Sequence, residues 1–142
     1  MSRPKNLGAL MRDLFLELTE HIHQSLAEQG HPQIRTAHGN VFQFLDDEGT
    51  RVSVLAERAQ MTKQSMGELV AHLEAHGYVE RVPDPTDGRA KLVRATESGH
   101  AVYPLARAAI AEVEARWAER LGEAKLARLR RLLEELDAGR AA

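Results

Sequence analysis

Titratable side chains are plentiful in this chain of 142 residues, with 7 histidines and 21 aspartates and glutamates. Their spacing offers little for covalent chemistry: there is no G-x-S-x-G, no HExxH, no phosphate-binding glycine loop and no cysteine nucleophile. No enzyme is expected. His21/His23 and His72/His76 come nearest to ligand pairs, and His72 and His76, at i and i+4, share one helix face that could hold a metal ion. They lie toward the polar side of their helix, where surface or phosphate contact is commoner, so neither metal nor cofactor is expected. The chemistry that remains is recognition. Lys63, Gln64, Ser65 and Glu68 gather near one helix start and suit the edges of bases in a major groove, while Arg89 sits on a turn and suits a minor groove, where negative potential is concentrated. The competing reading is an ordinary amphipathic helix followed by a solvated hairpin.

Positioning such groups requires a helix, a tight turn, a second helix and a β-hairpin, and residues Ser53 to Thr96 read in that order. Ser53 is expected to cap the first helix, whose Leu55, Ala56 and Ala59 pack on the next, with Gln60 and Met61 as the link. Thr62 caps the second helix and Met61 packs on Met66; Met66, Leu69, Val70 and Leu73 then form one apolar face at i, i+3, i+4 and i+7. Gly77 stands where a helix end calls for positive φ, and Tyr78–Val82 and Lys91–Ala95 read as paired strands. Pro83 to Ala90, with two prolines and a glycine, is expected to project as a loop with Arg89 at its tip. Asp87 repels phosphate, so its expected work is to orient Arg89 through an ion pair or to shape the turn.

Four blocks carry a family resemblance: Ser53–Ala59, the run LVAHLEAHGYVER from Leu69 to Arg81, Asp84–Arg89, and Ala95-Thr96-Glu97-Ser98-Gly99. In this order they resemble the MarR family of transcriptional regulators over nearly the whole chain. The most specific block is Asp-x-x-Asp-x-Arg followed by a short strand and Thr-x-x-Gly. Gly88, where the family often has a second arginine, and Ala95, where it usually has leucine, depart from the pattern. The resemblance implies a homodimer that binds a pseudo-palindromic operator in double-stranded DNA, represses transcription and lets go when a small ligand, often phenolic or aromatic, binds. It implies a single domain over 1–142, mainly α with a small β-hairpin wing, in which 1–30 and 97–142 form the dimerisation helices and 36–96 the winged helix-turn-helix. It also implies a ligand cleft lined by the first, second and fifth helices, for which His21, His38, Phe42 and Trp117 are the candidates. On DNA, Lys63, Gln64, Ser65 and Glu68 would meet base edges and Arg89 the minor groove, with Thr62, Arg58 and Arg94 on the backbone and Asp87 supporting the wing. A ligand would act by changing the separation of two reading heads set about one helical turn apart. A metal-responsive regulator on the same scaffold and a winged protein-interaction module that ignores DNA are the alternatives.

Composition is compatible with this reading. A hydrophobic fraction of 43% supports a core, zero cysteines exclude disulfides and thiolate sites, and no stretch approaches the roughly 20 apolar residues of a membrane span. With no apolar signal core at the N-terminus, cytoplasmic residence is the default. The net charge of −2 argues mildly against nucleic acid, but residues 51–94 carry +1 against −3 in residues 1–50, so the reading head is the least acidic third. Leu7, Met11, Leu14, Leu18 and Ile22 mark a first helix over about Asn6–Gln29, wide enough in its apolar stripe to meet a partner. A second helix is expected over Thr36–Asp46, an acidic solvated corner at Asp46–Gly49, and a short strand at Arg51-Val52. Thr96 caps a long helix to about Leu121, which Pro104 should bend or delay. A last helix carries a seam of Leu126, Leu129, Leu133 and Leu136 suited to an interface, and Ala138–Ala142 is expected to fray.

Overall fold

The computed structural model describes residues 3–140 as six α-helices and one β-hairpin. Helix α1 (Leu7–Glu28) starts where Asn6 accepts a hydrogen bond from the amide of Ala9, and lies along α5 (Glu97–Leu121). Between them in sequence comes a compact head: α2 (Gly39–Phe42), α3 (Val52–Ala59), α4 (Lys63–Ala75), β1 (Val79–Asp84) and β2 (Asp87–Ala95). Helix α6 (Glu123–Arg140) follows α5 after Gly122, whose φ of 98° turns the chain.

Leu26, Ile34, Val41, Leu55, Met66, Val70, Leu73, Val79, Val93 and Val102 form the core, which joins the end of α1, the head and the start of α5. Three of its members, Met66, Val70 and Leu73, come from the expected face of α4, with Leu69 half-buried beside them. Apolar periodicity therefore orients this helix as the sequence implies.

Several boundaries differ from expectation. Ser53 is not the cap of α3: Thr50 pairs with Val93 as an isolated bridge, Arg51 is still extended, and its carbonyl accepts from the amides of Val54 and Leu55, so the helix begins at Val52. The short strand thus falls on Thr50 rather than Arg51-Val52. The second helix is reduced to one 3-10 turn (Thr36–His38) and one α-turn, and beyond them the amide of Asp46 is taken by the Thr50 hydroxyl at 2.9 Å. Pro104 neither delays nor interrupts α5. Helix α6 continues to Arg140, beyond the expected fraying at Ala138; Ala141 and Ala142 lie outside the described residues. The wing loop is shorter than expected too, as described below.

Candidate nucleic-acid interface

Helix α4 begins as its sequence requires. The Thr62 hydroxyl accepts from the amide of Ser65 at 3.1 Å, which leaves Lys63, Gln64, Ser65 and Glu68 exposed around the N-terminal turns. The preceding turn is tight because Gln60 adopts a left-handed conformation (φ 55°) and Met61 donates back to the Ala56 carbonyl. Two residues therefore separate α3 from the α4 cap, and the small Ala56 is buried at the crossing.

At the other end of α4, Gly77 takes positive φ and the chain enters β1. The Thr96 hydroxyl donates to the Gly77 carbonyl at 2.5 Å and accepts from the Gly99 amide at 3.2 Å. A Cβ on Gly99 would lie 2.1 Å from the Tyr78 carbonyl oxygen, so the Thr-x-x-Gly block has a steric cause as well as a capping one.

The wing is longer than the sequence reading gives it. Residues expected in the loop, Pro83, Asp84 and Asp87 to Ala90, are in strands, leaving Pro85-Thr86 as the turn and a register irregularity between Pro83 and Asp84. Pro83 is tolerated because β1 is an edge strand. Asp84 is 7% exposed and fully engaged: Oδ2 accepts from Arg51 Nε at 2.8 Å and Nη2 at 2.7 Å, while Oδ1 accepts from the Thr86 amide and hydroxyl at 2.8 and 2.7 Å. The Thr86 hydrogen bonds, and then Arg51, hold its carboxyl down at about 2. Asp87 does not pair with Arg89: its Oδ1 accepts the Arg89 backbone amide at 3.0 Å, and its Oδ2 lies 3.9 Å from Arg51 Nη2. It shapes the wing and leaves the Arg89 side chain exposed.

Ion pairing divides the cations of the head. Arg58 binds Asp46 at 3.1 Å and the Phe44 carbonyl at 2.8 Å, while Asp46 stays exposed with Asp47 and Glu48 in the expected solvated corner. Arg94 lies 2.7 Å from Glu80, its cross-strand neighbour, and Arg81 lies 3.3 Å from Glu74. Among the described residues, Lys63, Arg89 and Lys91 have no carboxylate within 4.0 Å. Two of the expected backbone contacts, Arg58 and Arg94, are thus already engaged within the protein, while Lys91 is a cation that the sequence reading placed in the head but not at the interface.

The four candidates for a ligand cleft are not brought together. His21 Nε2 lies 2.6 Å from Glu112 between α1 and α5, and Trp117 Nε1 donates to Glu17 at 3.2 Å further along the same pair. Phe42 packs edge-on against Tyr103, whose hydroxyl donates to the Phe42 carbonyl at 2.8 Å. His38 is buried in the head, stacked on His72, which in turn lies beside His76 with ring centroids 4.5 Å apart. Each of the four faces a different neighbour. No three His, Asp or Glu side chains among the described residues are arranged to hold a metal ion.

Residues 34–90 match the model of the MarR family. Two curated proteins, HTH-type transcriptional regulators of Mycobacterium tuberculosis and Mycobacterium bovis, the latter uncharacterized, are each 42% identical over 55 residues, a stretch that spans 39% of this chain and 38% of theirs. The fold is shared more widely. Reduced MarR from E. coli superposes with a TM-score of 0.80 at 20% identity, covering 95% of this chain and 98% of that one. The S. aureus MepR–DNA complex gives 0.75 at 19% identity, covering 96% and 99%. CouR from Rhodococcus jostii RHA1 bound to p-coumaroyl-CoA gives 0.72 at 24% identity, covering 95% of each chain. The winged unit thus matches the MarR family model over residues 34–90, and the fold of these solved structures runs through nearly the whole chain.

Proposed function

We propose that this protein is a homodimeric, sequence-specific DNA-binding regulator of transcription, acting as a repressor that a small aromatic or phenolic ligand releases. One observation carries the DNA-binding part: the capped start of α4 and the wing expose Lys63, Gln64, Ser65, Glu68 and Arg89 on one head, with no carboxylate on Lys63 or Arg89. The helix start supplies contacts for a major groove, and Arg89 supplies one for the minor groove beside it. MepR, with the same fold, has been crystallised on DNA.

Dimerisation is supported by the opposite end. Helix α6 buries none of its residues, and Phe15, Leu129 and Leu133 help line an apolar groove of about 840 Å³ between α1, α5 and α6. Leu7, Met11 and Leu136 are more than half exposed nearby. Exposed apolar area of that extent on a helical surface favours a partner, and a second copy has the same surface. Ligand control is supported by CouR, which has this fold and has been crystallised bound to p-coumaroyl-CoA.

Selection of binding sites from random duplexes tests the reading. The wild type should enrich a motif with two related halves, bound more weakly as salt rises. Arg89→Ala should keep the motif and bind about tenfold more weakly. Absence of salt-dependent binding to any enriched duplex would leave a winged protein-interaction module as the better description.

A further inference from the structure

Beyond Val82 and Leu92 the wing is a two-stranded ribbon with a break in register, and a ribbon of that size has little stability by itself. Two adjacent residues hold it to the helices. Thr50 exchanges backbone hydrogen bonds with Val93 at 2.8 and 2.9 Å near the base. Arg51, at the N-cap position of α3, reaches outward to Asp84 and Asp87 near the tip. Asp87 holds the Arg89 amide, and α3 contributes the buried Leu55 and Ala56 to the core shared with α4. A continuous path therefore runs from the reading helix through α3, Arg51 and the two carboxylates to Arg89.

We infer that Arg51 and Asp84 are positioning residues that fix the angle of the wing to α4, so that Arg89 and the start of α4 meet one DNA duplex together. The inference rests on the DNA-binding reading above. Arg51 is a cation of the head, yet its guanidinium is bound by Asp84 and lies beside Asp87, so its contribution is geometric rather than an attraction for phosphate. Asp84 is acidic and sits close to where DNA would pass, which makes the sign of its effect informative.

Removing a negative charge from a DNA-facing head should tighten binding if only charge matters. If Asp84 positions the wing, Asp84→Asn should instead weaken binding about tenfold, and the loss should vanish in an Arg89→Ala background, where there is no wing contact to misplace. Thr86→Ala, which changes no charge and removes one bond to Asp84, should act in the same direction to a smaller degree. Amide exchange at Thr86 and Arg89 should quicken in Asp84→Asn while exchange along α4 stays as in the wild type, a readout that needs no DNA. Equal or tighter binding by Asp84→Asn, a loss that adds fully to that of Arg89→Ala, or unchanged exchange in the wing would overturn the inference. Failure of the wild type itself to bind DNA, with quickened wing exchange in the variant, would strike the DNA-binding reading and confine the clamp to the fold.

Discussion

The imidazoles of His38 and His72 lie nearly parallel, 11° apart with centroids separated by 4.6 Å, one buried in the first turns of the head and the other on α4. His38 Nδ1 accepts the Arg35 amide at 2.8 Å, so this nitrogen carries no proton and the neutral ring is the form that fits. Burial first, and then the nearby His72, Arg35 and His76, lower its pKa to about 4.

Acid should therefore weaken the fold in a defined interval. Below about 6.5 the unfolded chain takes up a proton at this position that the folded chain refuses until about pH 4, so stability falls as pH drops between those values and levels off below them. The contribution is at most about 3 kcal/mol, reduced by whatever solvent reaches the ring. Urea melts at pH 7 and pH 5 should show the loss, and His38→Gln, which keeps an acceptor but does not titrate, should shrink it. Equal pH dependence in the two proteins would rule out His38 as the source.

Gly99 should resist substitution more than any exposed glycine. A methyl group there meets the Tyr78 carbonyl at 2.1 Å, and the atom in the way is backbone, so relief requires α5 to move from the hairpin. Gly99→Ala is expected to cost about 3 kcal/mol. Gly139, with open space around it, is the control: Gly139→Ala on the exposed α6 should be neutral or slightly stabilising in the same thermal melts.

Thr62→Ala removes the side-chain bond to the Ser65 amide and should cost about 1 kcal/mol. If Thr62 does no more than cap, Thr62→Ser, which restores the acceptor, should recover both stability and DNA affinity. Recovery of stability without affinity would show that the threonine methyl contributes to recognition.

Phe15→Glu and Leu133→Glu place charges in the apolar groove between the terminal helices. Sedimentation should show a shift from dimer toward monomer at micromolar protein, with loss of two-site DNA binding. A monomeric wild type, or dimers unaffected by either change, would contradict the proposed interface.

Local rules made much of the head legible. Thr62, Gly77 and Thr96 each do what their residue type does beside a helix end, because caps and positive φ depend on a few neighbouring atoms. The wing strands are longer than local rules imply, because Pro83 and Gly88 suggest a loop in isolation, whereas edge position and the Asp84 bonds keep them in strands. Ser53 has the chemistry of a cap but not the place, which the Thr50 bridge to Val93 shifts upstream. Pairings between distant parts of the chain, such as Arg51 with Asp84, His38 with His72 and Tyr103 with the Phe42 carbonyl, leave no periodic trace. His21, His38, Phe42 and Trp117 likewise take separate neighbours, because only three-dimensional packing says which way a side chain faces.

The Thr96 hydroxyl joins the end of one functional part to the beginning of the other, since the same oxygen serves Gly77 behind α4 and Gly99 inside α5. One side-chain atom thus fastens the exit of α4 to the entry of α5, so that loss of the Thr96 hydroxyl would loosen both helix ends at once.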